Sequence, residues 1–208
     1  MADILIENQS IPSTPSSGQC VIFTDNSAKA IFLLNDLGVI FGRTDNASTA
    51  AQGAGFSSDT YVTNSDIQIP SFSFRVGTMI RWIIACSKTA AGTATPVYTI
   101  RIGSNRSTAD TSRLAITGPA QTAAADNAVI TIMVVVRSIG ASGVIQGDMT
   151  IDHNLAATGF ANNASAIVTG TSSGFDMTAI GGRYVGISIN AGASAAWTLT
   201  QVRVEAKW

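Results

Sequence analysis

His153 is the one imidazole in 208 residues, and it follows Asp152 in the run Thr-Ile-Asp-His-Asn. Acid–base catalysis would need this ring held by a carboxylate and aimed at a nucleophile or a substrate proton. Neighbours on a strand point to opposite faces, so Asp152 is badly placed to orient it. The run closes an alternating segment and predicts a hydrogen-bonded strand-end histidine instead. The two cysteines, Cys20 and Cys86, form no disulfide framework and no Cys/His set with zinc spacing. Both are expected to be small, buried apolar residues. Asp25-Asn26, Asp45-Asn46, Asp126-Asn127 and Asn162-Asn163 could offer oxygen ligands to calcium, but no EF-hand spacing accompanies them, and such residues are ordinary turn formers. No glycine-rich phosphate-binding pattern follows a strand and opens a helix. Tyr61, Trp82, Tyr98, Phe160, Tyr184 and Trp197 could stack on sugars, yet most lie in alternating segments where core packing is the default. The residues therefore predict a non-enzymatic protein, with no catalytic, cofactor-binding or metal-ligating set and no cofactor.

Composition points the same way. Charged residues make up 12% of the chain, roughly half the usual share of about 25%. The formal net charge is −1 with both signs scattered, which offers no electrostatic footprint for nucleic acid. Mean hydropathy is +0.29, but the longest strongly apolar run, residues 132–136, is far too short to span a bilayer as a helix. The opening Met-Ala-Asp-Ile-Leu-Ile-Glu-Asn has neither a basic start nor a signal-peptide core. The expectation is a soluble chain made in the cytoplasm, with no membrane partner. The Asn-x-Ser triplets at Asn8, Asn46, Asn105 and Asn163 are then read as a by-product of composition, without glycosylation.

The elements that would carry these residues are strands. Residues 1–19 are polar and carry Pro12 and Pro15, which exclude them from a central strand and predict an extended arm. Short apolar runs at 21–24, 30–34 and 39–41, separated by Asn, Asp and Gly turns, predict a small β-meander over 20–42. Residues 43–60 show no period and few large side chains, and are expected to be a linker. Over 61–208 the period of two persists. Ile80, Trp82, Ile84 and Cys86 share one face; so do Tyr98, Ile100 and Ile102, then Ile145, Met149 and Ile151, then Val185, Ile187 and Ile189. In the last segment Thr198, Thr200, Val202, Val204 and Ala206 are expected to share a face. Residues 129–136 are apolar on both faces, which predicts a central strand or an interface. Further strands are expected at 61–69, 72–76, 113–117 and 166–170. Many short strands without a helical period predict an all-β chain: a β-sandwich or jelly roll preceded by the arm and the meander.

Several stretches carry a resemblance. Pro15-Ser-Ser-Gly-Gln-Cys-Val-Ile-Phe-Thr-Asp25 followed by Asp36-Leu-Gly38 is similar to a small β module near the N-termini of phage fibre and head-surface proteins. The segments Leu155-Ala-Ala-Thr-Gly-Phe160, Thr171-Ser-Ser-Gly-Phe-Asp176 and Ala193-Ser-Ala-Ala-Trp-Thr-Leu-Thr-Gln-Val202 resemble the compact β domains of the same group. Over residues 15–208 the chain thus resembles virion structural proteins of tailed bacteriophages. The resemblance implies a homotrimer on the virion exterior. It implies either a capsid decoration (cement) protein that clamps the major capsid protein, or a tail or head fibre that joins a tail or baseplate protein and binds a host receptor. The short chain without a shaft repeat favours decoration. A depolymerase would need a carboxylate pair that is not recognisable here. Ile4, Leu5, Ile6 and Ile11, apolar residues in a Pro- and Ser-rich arm, are the expected partner-binding residues.

Overall fold

The computed structural model describes residues 8–9, 13–25, 31–35, 40–41, 44–70, 73–163, 165–192 and 196–208, and these contain strands and turns but no helix. The first unit is a small sheet of β1 (Asn8–Gln9), β2 (Cys20–Asp25), β3 (Ile31–Asn35) and β4 (Ile40–Phe41) in that order. Its β2–β3–β4 part is an antiparallel meander, and β1 adds parallel to β2, Asn8 opposite Thr24. Ile4, Leu5, Ile6 and Ile11 lie outside the described residues.

The rest is a sandwich of two antiparallel sheets. One sheet has seven strands: β5 (Asp45–Ser48), β6 (Gln52–Gly55), β9 (Met79–Lys88), β12 (Asp126–Ser138), β13 (Val144–His153), β14 (Ser165–Thr171) and β16 (Trp197–Lys207). They run β14-β13-β12-β9-β16-β5, with β6 also on β16. The other comprises β7 (Thr60–Tyr61), β8 (Ile67–Gln68), β10 (Val97–Gly103), β11 (Thr111–Thr117) and β15 (Tyr184–Asn190), in the order β11-β10-β15, with β7 and β8 both on β15. The expected β-sandwich is therefore present.

Alternation explains which faces meet. Ile80, Trp82 and Ile84 of β9 and Ile130, Ile132 and Val134 of β12 are buried against Tyr98, Ile100 and Ile102 of β10 and Val185, Ile187 and Ile189 of β15. Each fully buried Ile contributes about 2 kcal/mol through apolar area removed from water. The β12 strand is central, between β13 and β9, as its apolar run predicts.

Four local expectations are corrected. Residues 43–60 are not merely a linker: Asp45–Ser48 and Gln52–Gly55 are edge strands paired to β16. Backbone pairing suffices there, so no apolar period marks them. Residues 61–69 are not one strand, because Thr63 and Asn64 turn the chain, Asn64 at φ 58°, and split it into β7 and β8. Within 72–76 the described residues 73–76 are not a strand; Ser73 sits at φ 65°, and Phe74 still reaches the core. In β16 a bulge between Leu199 and Gln201 shifts the phase. Trp197 and Leu199 therefore point inward with Val202, Val204 and Ala206, while Thr198 and Thr200 do not.

Candidate functional site

The histidine lies at one end of the sandwich. Its side chain is fully buried, and Nδ1 lies 2.8 Å from Asp126 Oδ2 while Nε2 lies 2.5 Å from the carbonyl oxygen of Asn163. The pairing of Ala128 with His153 in the β12–β13 ladder brings Asp126, at the start of β12, beside the ring. Asp152 is exposed on the other face, as strand alternation requires. Asp126 also accepts from the backbone N–H of Asn127 at 2.8 Å and of Phe160 at 3.1 Å. Gly159 lies against the same carboxylate at φ +94°; a Cβ there would overlap it, so the position requires glycine. Next door the buried Lys88 ammonium donates to the carbonyls of Thr122 at 2.6 Å and Ala124 at 3.1 Å. Burial pushes the Lys88 pKa down, and the Asp126 charge opposes that shift. Both ring nitrogens of His153 are thus occupied and shielded from solvent. A histidine in that state fastens loops and has no free nitrogen to offer a substrate proton.

Sequence inspection missed Asp126 as the histidine's partner because the two are 27 residues apart. The signal that finds it is hairpin register: Asp126-Asn127 opens the long apolar run, and pairing that run with 144–153 brings its start to His153.

A second polar cluster sits beside β10. Arg101 donates from Nε to Ser188 Oγ at 2.8 Å and from one terminal nitrogen to the carbonyl of Asp110 at 2.7 Å; its other terminal nitrogen pairs with Asp59. Arg106 pairs with Asp66 at 2.8 Å and lies 5.0 Å from the Tyr184 ring centroid, while Asp110 accepts the backbone N–H groups of Asn105 and Arg106. The carboxylates of Asp59, Asp66 and Asp110 all have partners here, and the cluster pins the loop between β10 and β11. Among the described residues no group of three or more His, Cys, Asp or Glu side chains is arranged to hold a metal ion.

The aromatic candidates divide. Trp82, Tyr98, Phe160 and Trp197 are core residues, closed to a sugar, and Tyr61 and Tyr184 are half-buried. The cysteines also divide: Cys86 is buried as expected, but Cys20, at the start of β2 in the small sheet, is exposed. Burial, and then the Asp126 charge, pushes the Cys86 thiol well above its ordinary range, which suppresses its thiolate. A maleimide should therefore label Cys20 alone in the native protein and both thiols after denaturation. Mass spectrometry checks this, and native labelling of Cys86 would contradict the packing.

The surface that stands out is the outer face of the seven-stranded sheet. Met79, Ile83 and Ala85 of β9 lie beside Val129, Met133 and Val135 of β12, with Val129 paired to Ala85 and Val135 to Met79. Met79, Ile83, Ala85, Met133 and Val135 are half-buried, Val129 is 41% exposed, and Ile167 on β14 is 73% exposed. A hollow of about 260 Å³ opens beside Val129, between Asn127, Asp152, Asn154 and Thr200. Thr200, at the bulge, donates its hydroxyl to the Ala85 carbonyl at 3.2 Å. The strip is interrupted by Arg81, which lies opposite Met133 and pairs with Glu205, and by Thr131 opposite Ile83. On the other sheet the corresponding positions of β10 and β15 are Val97, Thr99, Arg101, Ser188 and Asn190, of which Thr99 and Ser188 are buried.

No helix of the described residues is long and apolar enough to cross a membrane. No protein-family model matches the chain, and no curated protein matches its sequence.

Proposed function

We propose that this chain is a non-enzymatic virion structural protein of a tailed bacteriophage, a decoration protein that sits as a homotrimer on the outside of the capsid and stabilises the major capsid shell. The observation that carries the reading is the division of labour within the chain. A small sheet, β1 to β4, takes up Asn8–Gln9 of the arm as its first strand, and the sandwich carries apolar residues among the outward positions of β9 and β12. Such a chain has one part for attachment and another for association. A protein that binds the assembled shell and not its free subunits shifts the equilibrium toward the shell.

The test is co-sedimentation with undecorated capsids. The full chain should pellet with them; a chain lacking residues 1–19 should stay folded and oligomeric but lose most of that binding. Removing 1–19 takes away Ile4, Leu5, Ile6 and Ile11 as well as β1, while the sandwich strands begin later. Binding undiminished by the deletion would move attachment to the sandwich. A copy number far below that of the major capsid protein would replace decoration with a fibre role.

A further inference from the structure

We propose that His153 is held with a proton on both ring nitrogens and acts as a proton-dependent latch on the strap 154–163, closed while the ring is charged and released as pH rises.

A neutral imidazole has one N–H to give; the charged ring has two. Both atoms that the ring meets here are acceptors. Nδ1 lies 2.8 Å from the Asp126 carboxylate oxygen Oδ2, and Nε2 lies 2.5 Å from the backbone carbonyl oxygen of Asn163. A neutral ring would satisfy one of them and set a lone pair against the other, in a place where water cannot intervene. The proton between Asp126 and Nδ1 belongs to the ring. Asp126 Oδ1 accepts the N–H of Asn127 at 2.8 Å and Oδ2 that of Phe160 at 3.1 Å, and such bonds favour the ionised carboxylate.

No neighbouring group supplies the missing donor. Lys88, paired with Asp126 across β9 and β12, gives its ammonium to the carbonyls of Thr122 and Ala124. The Cys86 thiol on the same strand is kept neutral by burial. Asp152, next to the ring on β13, is exposed on the other face. Residues 118–125 and 154–163 contain no titratable side chain.

The strap leaves the end of β13 at His153, and the ring ties its far end, at Asn163, back to that root. Midway, Gly159 donates to Thr122 Oγ1 at 2.5 Å and Phe160 to Asp126. When the ring loses a proton, the one N–H left stays with the carboxylate, because a buried charge without a partner is the costlier loss. The Asn163 carbonyl then faces a lone pair, and Asn163, being exposed, can turn to water. The sign follows from proton binding. The closed latch holds a proton that an unfolded chain gives up around pH 6.5. Its contribution to stability is therefore full below that range and is lost as pH rises above it.

The experiment is nitrogen-15 NMR on the untagged full-length protein, whose one imidazole assigns itself. At about pH 7.5, where a free imidazole is about nine-tenths neutral, both ring nitrogens should still carry protons. At higher pH the protection of the Gly159 and Phe160 amides against hydrogen exchange should fall, by up to about tenfold per pH unit. His153→Gln has no proton to lose in this range, so its protection there should not depend on pH. Asp126→Asn, which can donate to Nδ1, should leave one ring nitrogen bare at about pH 7.5. Circular dichroism verifies that each variant is folded; if Asp126→Asn is not, the wild type and His153→Gln decide. One bare ring nitrogen in the folded wild type at about pH 7.5 overturns the proposal. So does a pH dependence of protection that is the same in wild type and His153→Gln.

Discussion

Trp197→Ala should lower the free energy of unfolding by about 4 kcal/mol, as truncating a buried aromatic leaves both lost transfer energy and a cavity. Trp197 is 1% exposed, and its ring stacks edge-on against Phe160 with centroids 4.8 Å apart and tilts towards Tyr98 at 6.3 Å. Its Nε1–H donates to Gln121 Oε1 at 2.9 Å, while Gln121 Nε2 donates to the carbonyls of Ala94 and Ala191. Removing the indole therefore also leaves a buried amide oxygen without a donor, which adds to the cost. Trp197→Phe keeps most of the ring contact and loses the donor, so it should fall well short of the Ala variant. Equilibrium urea unfolding decides. A loss under about 1 kcal/mol for Trp197→Ala would mean that β16 is not packed as described.

His153→Ala should cost about 3 kcal/mol, because it strips a partner from a carboxylate that stays buried. Asp126 would keep the N–H groups of Asn127 and Phe160 but lose the ring, and the Asn163 carbonyl would lose its contact too. Capsid binding and oligomer mass should survive at temperatures where the variant is folded, since the residue is interior. His153→Gln, which can place an amide N–H towards Asp126, should recover part of the loss. Unfolding curves of the two variants, with co-sedimentation, test this. A His153→Ala protein as stable as wild type but unable to bind would show that the ring acts at a site rather than in the scaffold.

Much of the sandwich was legible because its strands have one dry and one wetter face. The inward sets Ile80-Trp82-Ile84-Cys86 and Val185-Ile187-Ile189 need only a period of two to be found. Legibility failed where backbone geometry decided. Asp45–Ser48 and Gln52–Gly55 are strands because β16 offers an edge, not because their side chains alternate. The bulge before Gln201 inverts the phase of Trp197 and Leu199, and no side chain announces it. The His153–Asp126 contact was hidden by sequence distance. Cys20 was misplaced because a small residue opening an apolar run looks like core, whereas the four-stranded sheet leaves that position in solvent.

The pairing of β16 carries a consequence for synthesis. Lys88 pairs with Trp197 and Met79 with Lys207, so β9 lacks one whole neighbour until residues 197–207 have left the ribosome. The edge strands β5 and β6, the first of the sandwich to be made, wait for that same segment. Until then the nascent chain carries a long unpaired edge beside an apolar strand, and the non-local closure that buries it is slow. Cells producing this protein in bulk therefore face a risk of misassembly until residues 197–207 emerge, and slower, cooler expression should raise the soluble yield.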